Sequence, residues 1–187
     1  MKTRHRKKLP TIWLMTDERV GQEALLAAAQ RLPKGGAGIV LRHYRTPKAE
    51  RRALFDRLAA IARRRRLTLM LGGTAAQAAA WGADGWHGRD GRAIMRPLLH
   101  SAPVHGAREL RMAARGKADF IFLSPLFPTR SHPGAPALGR LRFAALARRA
   151  DMDVIALGGV RAMHWPMLRG MGASGWAAID GLSIARR

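Results

Sequence analysis

Short apolar stretches recur along this chain, and each is separated from the next by a segment of helical character. Within them hydrophobic residues follow one another without polar alternation, as in LTLML at 67–71 and FIFL at 120–123. Strands with this pattern are buried on both faces, which is typical of a parallel sheet covered by helices. The pattern therefore predicts an α/β fold in which strands and helices alternate along the chain.

The apolar stretches predict eight strands, at 12–16, 38–44, 67–71, 85–88, 102–105, 120–124, 154–157 and 176–179. Helical spacing predicts the intervening helices at 22–32, 48–66, 75–81, 107–115, 142–149 and 163–170. Eight such units favour a compact (β/α)8 TIM barrel, in which several helices must be brief because the chain has only 187 residues. An open doubly wound sheet is the alternative. We expect one barrel domain over residues 11–187, preceded by a basic tail at 1–10.

The charge of the chain is strongly unbalanced, with 34 Lys and Arg against 12 Asp and Glu and a formal net charge of +22. A solvated basic surface, attraction to small phosphorylated molecules and binding to nucleic acid are all consistent with that balance. The cations at the end of the second helix, 63–66, fit the negative end of its dipole and need no ligand. Because the chain has no cysteine, disulfides and thiolate metal sites are excluded. No apolar run approaches the roughly 20 residues of a membrane span, so we expect a cytoplasmic protein without membrane contact.

Polar side chains follow several of the predicted strands. They lie in RHYR at 42–45, in WHG at 86–88, at His105, and in the loop TRSH at 129–132. In a barrel of this type, functional residues lie on the loops at the carboxyl ends of the strands. The sequence therefore predicts a site at that face. His87 and His105 are equally well explained as hydrogen-bonded structural histidines, and the histidines lack the companions of a metal site.

Two turns of small residues follow the last two predicted strands. ALGGV at 156–160 places two glycines where a strand turns into a helix, and AIDGLS at 178–183 is a second such turn. Glycines allow backbone N–H groups to approach an anion closely, and barrels often bind phosphate with these two loops. The pair of turns predicts a phosphate site, although a plain tight turn explains each one separately.

These segments together resemble a known family. The order LPTIWLMTD, GIVLRHYR, GADGWHG, PVHGARELRMAARGKADFIFLSPLFPT, VIALGGV and GASGWAAIDG is similar to the thiamine phosphate synthase/TenI family over nearly the whole chain. The resemblance implies a TIM barrel that binds a phosphorylated thiazole in thiamine biosynthesis or salvage. In the synthase branch, a pyrimidine diphosphate loses pyrophosphate and the thiazole nitrogen captures the pyrimidine. In the TenI branch, a thiazole tautomer is aromatised.

The resemblance also implies site residues. The synthase pattern Q-L-R-E-K keeps only Leu41 and Arg42 here, with Val40 for the glutamine and Tyr44 for the lysine, beside which Arg45 lies. The phosphate-contacting pattern T-x-T-K corresponds to TRSH at 129–132, and the serine of S-V-H is Pro103. The expected catalytic residues are Arg42, whose guanidinium suits a diphosphate, and His132, which titrates near neutrality. The expected substrate-binding residues are Arg42, Tyr44, Arg45, Thr129, Arg130, Ser131, His132, Gly158, Gly159, Ile179 and Asp180.

The metal positions of the synthase pattern are altered. The family carries Asn-Asp after the third strand, and the Asp holds magnesium; Gly72 and Gly73 stand there in this chain. A second magnesium Asp falls near Arg92, unless a short gap brings in Asp90. Magnesium requires oxygen ligands that glycine side chains cannot supply. We therefore predict no metal site, and magnesium remains an open question as a cofactor.

Three functions stay open at this point. The first is a barrel that binds thiazole phosphate or thiamine phosphate, with synthase or TenI chemistry altered or lost. The second is a true synthase, a transferase in which arginines replace the metal. The third is a non-enzymatic barrel that binds nucleic acid or another polyanion, which predicts affinity that falls steeply with salt. A homodimer is compatible with all three.

Overall fold

The eight strands form a closed parallel barrel. The structure, a computed structural model, describes residues 9–89, 98–129, 134 and 136–183. Each strand pairs with the next along the chain, and β8 pairs with β1 to close the barrel. The (β/α)8 architecture predicted from the sequence is therefore confirmed. The strands are β1 Ile12–Met15, β2 Ala37–Leu41, β3 Thr68–Gly72, β4 Gly85–His87, β5 Leu99–Val104, β6 Phe120–Leu123, β7 Asp153–Ala156 and β8 Gly175–Ala178.

Helices surround the barrel, and most of them are short, as the length of the chain requires. Among the described helices, none combines the length and the apolar character needed to cross a bilayer. A single 3-10 turn at Ala162–His164 leads into α6. Within the described residues, the helices are α1 Gln22–Arg31, α2 Lys48–Arg65, α3 Ala75–Trp81, α4 Ala107–Arg115, α5 Gly139–Ala147, α6 Trp165–Gly170 and α7 Asp180–Ser183.

Several elements differ from the sequence prediction; helix α5, predicted at 142–149, spans Gly139–Ala147. Strand β2 ends at Leu41 and not at 44, because the chain turns over the barrel mouth at His43, whose φ is 27°. Strand β5 begins at Leu99, three residues earlier than predicted, because its polar residues His100 and Ser101 are buried within the sheet. The short helix α7 replaces the turn predicted at 178–183.

The barrel interior is filled by aromatic and aliphatic side chains from alternate strand positions. Trp13 lies in this interior, with its ring centroid 5.0 Å from Phe120 and 5.7 Å from Phe122. Gly38 on β2 makes room for it, since a Cβ at that position would overlap the indole ring. Two further apolar clusters pack the outer faces of the strands against the helices. Filling both faces of the sheet fixes the strand ends that carry the site.

Candidate functional site

A cavity opens at the carboxyl ends of the strands, which is the face predicted from the sequence. Its floor is formed by apolar and histidine side chains, including Met15, Phe122 and His87. Its rim contains cationic and small residues from the strand-end loops. They include Arg42, Tyr44, Arg89, His105, Ser124, Thr129, Gly158, Gly159, Arg161, Met163, Ile179 and Asp180.

Arg42 is held across the ends of β1 and β2. Its Nε donates to the carbonyl oxygen of Thr16 at 2.8 Å, and its backbone N–H donates to the Thr16 hydroxyl at 2.9 Å. Its Nη2 lies 3.3 Å from the carboxylate of Asp17. The same carboxylate also accepts a hydrogen bond from Arg19 Nε at 2.7 Å. The predicted catalytic arginine is therefore oriented by two residues of the β1 end.

The charges of Asp17, Arg19 and Arg42 stabilise one another. Burial on its own raises the pKa of the Asp17 carboxyl, but hydrogen bonds from Arg19 and the charges of Arg19 and Arg42 outweigh it. The pKa of Asp17 consequently lies below its ordinary value. Burial lowers the pKa of the Arg42 guanidinium, and the nearby Asp17 charge offsets part of that effect. Since an arginine pKa starts above about 12, Arg42 remains a cation at neutral pH.

Glu18 fixes the loop that follows β2. Its Oε1 accepts hydrogen bonds from the backbone N–H groups of Arg45 and Thr46, at 2.7 and 2.8 Å, and from the Thr46 hydroxyl at 3.0 Å. The Arg45 side chain is 95% exposed and lies 3.9 Å from Glu18 Oε2. Arg45 is not among the described residues that line the cavity. The loop thus presents Tyr44 to the mouth and Arg45 to solvent.

The end of β3 does not fit a magnesium site. A Cβ on Gly72 would lie 2.7 Å from Tyr44 Oη, so the tyrosine occupies the space that a side chain at position 72 would need. Gly73 has a φ of 137°, a conformation that residues with a Cβ rarely adopt. Within the described residues, no cluster of His, Asp or Glu is arranged to hold a metal ion. The alternative positions considered from the sequence, Asp90 and Arg92, lie outside the described residues.

Two histidines lie beneath or beside the mouth. His87 is buried, its Nδ1 lies 3.0 Å from Ser101 Oγ, and burial lowers its pKa to about 3. His87 is therefore a neutral imidazole at the floor of the cavity at physiological pH. His105 is exposed, and its Nδ1 lies 2.9 Å from the carbonyl oxygen of Ser124. Because a carbonyl can only accept, Nδ1 of His105 carries a proton and Nε2 is the basic nitrogen of the neutral ring.

The turn after β7 is tight and backbone-rich. Gly158 and Gly159 both have positive φ, at 95° and 65°, and pack against the loop after β6. A Cβ on Gly159 would lie 2.8 Å from both Phe127 Cβ and the Pro128 carbonyl oxygen. Among the described residues, no backbone carbonyl accepts from the N–H groups of Gly158 and Gly159. The turn therefore leaves two amide donors for an anion at the rim.

Most of the residues predicted from the sequence lie around one cavity. Arg130, Ser131 and the predicted catalytic His132 lie outside the described residues. Asp17, Glu18 and Arg51 were missed, although an acid directly after a barrel strand is conspicuous in a chain with 12 acids. The predicted residues that line the cavity are Arg42, Tyr44, Thr129, Gly158, Gly159, Ile179 and Asp180.

The family is decided by comparison with known proteins. The model of the family described as thiamine monophosphate synthase matches residues 12–182. The chain belongs to this family. A thiamine-phosphate synthase of Salinispora arenicola is 33% identical over 189 residues, covering 95% of this chain and 91% of the relative. A putative thiamine-phosphate synthase of Geobacter sulfurreducens is 32% identical, covering 92% of this chain and 86% of the relative.

A solved structure also supports the fold. The thiamine phosphate pyrophosphorylase from Pyrococcus furiosus superposes with a TM-score of 0.78 at 21% identity, covering 96% of this chain and 89% of that one. The family resemblance noted in the sequence is thereby confirmed, together with its place among thiamine biosynthesis proteins.

Proposed function

We propose that the chain binds a phosphorylated thiazole or thiamine compound at the mouth of its barrel, and that its synthase chemistry is altered or lost. The observation that carries the proposal is the turn at Gly158 and Gly159. Both glycines line the cavity together with Thr129, and no described backbone carbonyl accepts from their N–H groups, in a chain of the thiamine monophosphate synthase family. Backbone N–H groups in left-handed turns are suited to phosphate oxygens.

We infer altered synthase chemistry from the residues at the end of β3. Departure of pyrophosphate develops negative charge that a metal ion normally stabilises. Gly73 stands where the family carries the metal-binding Asp, and Tyr44 covers Gly72 beside it, so the residues present do not fit that metal. A true synthase that uses Arg42 and other rim arginines in place of the metal is the second candidate, favoured by the orientation of Arg42.

A thermal-shift titration tests ligand binding. Thiazole phosphate and thiamine phosphate are expected to raise the melting temperature, because a ligand that binds only the folded state stabilises it. The Gly159→Asp variant places a carboxylate beside the phosphate and is expected to abolish the shift. Gly159→Ala adds bulk without charge, and Gly170→Ala, at a position with open space, is the matched control. Equal shifts with every polyanion, lost together at high salt, would instead support a general polyanion-binding barrel.

Turnover separates the two candidates. The chain is mixed with the pyrimidine diphosphate and thiazole phosphate, and release of pyrophosphate is followed with magnesium and with EDTA. We expect ligand binding without synthase turnover. Turnover that is insensitive to EDTA and lost in Arg42→Met would establish the second candidate and overturn the first.

A further inference from the structure

A buried arginine lies directly behind the altered metal position. Arg51, in the first turn of α2, has only 8% of its surface exposed. Its Nη2 donates to the carbonyl oxygen of Gly72 and lies 3.4 Å from that of Leu41. These are the last residues of β3 and β2. Arg51 therefore joins the two strand ends at the side of the mouth where the family's metal ligand would stand.

Aromatic rings surround the guanidinium. Its Cζ lies 5.6 Å from the ring centroid of Tyr44 and 5.8 Å from that of Trp81, both within the range of a cation–π interaction. Tyr44 lines the cavity and Arg51 does not, so the tyrosine ring connects the buried cation with the mouth. Tyr44 covers Gly72, and Arg51 lies against the Tyr44 ring. We name these two residues the Tyr44–Arg51 pair.

The carboxylate of Glu18 acts on the charge of Arg51 without forming an ion pair with it. Among the described residues, no carboxylate forms an ion pair with it, and its Nε has no hydrogen-bond partner. A positive charge that no carboxylate contacts directly repels a divalent cation and attracts an anion across the low-dielectric edge of the barrel. The carbonyl oxygen of Gly72, which could have been an oxygen ligand, is already engaged.

We propose that the Tyr44–Arg51 pair has taken the place of a divalent metal at the ends of β2 and β3, so that the mouth binds a diphosphate group without metal. Arg42 follows the end of β2 and supplies a partly buried cation that lines the mouth, whereas Arg51 supplies a buried one. This inference rests on the proposed function, since both concern phosphorylated ligands at the same mouth. It concerns the β2–β3 side, and the phosphate of the thiazole compound is assigned to the turn at Gly158 and Gly159.

Calorimetric titration with inorganic pyrophosphate tests the inference on the full chain. At constant ionic strength, we expect the same affinity in EDTA as in magnesium, after correction for the magnesium complex of free pyrophosphate. Arg51→Met should weaken binding about tenfold, since it removes one buried charge, and Arg51→Lys should retain most of the affinity. Arg52→Met, which removes a more exposed charge from the same helix, is the matched control and should change little.

Two outcomes would overturn the proposal. One is pyrophosphate binding that requires magnesium in the wild-type chain. The other is an Arg51→Met variant that melts earlier but binds pyrophosphate as tightly as before, because Arg51 would then only connect the strands. Thiazole phosphate, titrated in parallel, separates this inference from the proposed function: if it fails to bind while pyrophosphate binds without metal, only the proposed function is lost.

Restoring the metal position provides a converse test with manganese, detected by electron paramagnetic resonance, as the probe. The variant Tyr44→Ala/Gly72→Asn/Gly73→Asp/Arg51→Met removes the ring and the cation and restores the Asn-Asp pair of the family. We expect it to bind manganese in the presence of pyrophosphate, while the wild-type chain under the same conditions does not. Manganese binding by the wild-type chain at the same level as the variant would contradict the replacement.

Discussion

Single side chains at the mouth are oriented by residues from neighbouring strands. Thr16 and Asp17 of the β1 end hold Arg42 of the β2 end, and the Ser124 carbonyl after β6 fixes the protonated nitrogen of His105 after β5. Each such contact joins two loops that are far apart in sequence. A substitution that removes the supporting residue is therefore expected to act on the site through the residue that it holds.

His87 should make stability depend on pH. Because burial lowers its pKa to about 3, folded His87 stays neutral at mildly acidic pH, whereas in the unfolded chain it protonates near about 6.5. The unfolded state then binds the extra proton, so this contribution to stability is complete above about pH 6.5 and declines by about 1.4 kcal/mol per pH unit below it. Urea unfolding at a series of pH values should show a shallower decline for His87→Asn. Equal slopes for the two proteins would contradict the lowered pKa of His87. Above about pH 7 the histidine is neutral in both the folded and the unfolded state, so the difference in free energy of unfolding between the two proteins there reports only the change in packing.

For the helices and strands, the sequence predicts what local patterns encode and does not predict what depends on tertiary contacts. Apolar runs located all eight strands to within a few residues, and α3 and α4 begin and end as predicted, because each pattern is set by neighbours in the chain. The placement of Tyr44 over Gly72 depends on how the loop after β2 meets β3, which no local pattern encodes. Arg51 did leave a signal, since it shares helical spacing with the buried Leu54 and Leu58. A cation on an apolar face indicates a specific partner, here two strand-end carbonyls.

The end of α2 carries a strained residue. Arg66 follows the helix in the left-handed region, with a φ of 55°, and its N–H bonds to the carbonyls of Ala62 and Arg63. Glycine adopts this conformation without the steric cost of a Cβ, so Arg66→Gly should raise the free energy of unfolding by about 1 kcal/mol. Arg64→Gly removes the same charge from inside the helix and should lower it by about 1 kcal/mol. Chemical denaturation of both variants checks the contrast, and a loss of stability in both would refute it.

The whole molecule is stabilised by an interior in which one large ring occupies the centre of the barrel. Trp13 is fully buried, and its Nε1 donates to the Pro10 carbonyl at 2.8 Å. Trp13→Ala should lower the free energy of unfolding by about 3–5 kcal/mol, since it leaves a cavity. Gly38→Ala should also destabilise, and combining it with Trp13→Ala should cost less than the sum of the two. A double-mutant cycle by denaturation measures this, and simple additivity would show that the two residues do not share the space.

Charge is also a property of the whole molecule. The first eight residues, MKTRHRKK, add five Lys and Arg to an already basic chain. If the barrel mouth is the ligand site, deleting residues 1–8 should leave the thermal shift with thiazole phosphate unchanged. Retention on heparin should fall with the lost charge, and with rising salt. Loss of the thiazole phosphate shift on deletion would place the tail at the site and count against a self-contained barrel.

Tyr44 is the only tyrosine in the chain. Its phenol lies over Gly72 and lines the cavity, and its ring centroid is 5.6 Å from the guanidinium carbon of Arg51. Replacing tyrosine by fluorotyrosine during expression would therefore introduce a single spectroscopic label, and that label would stand at the mouth of the barrel. One fluorine resonance would then report ligand occupancy without any mutation, and its linewidth would record how fast ligands enter and leave.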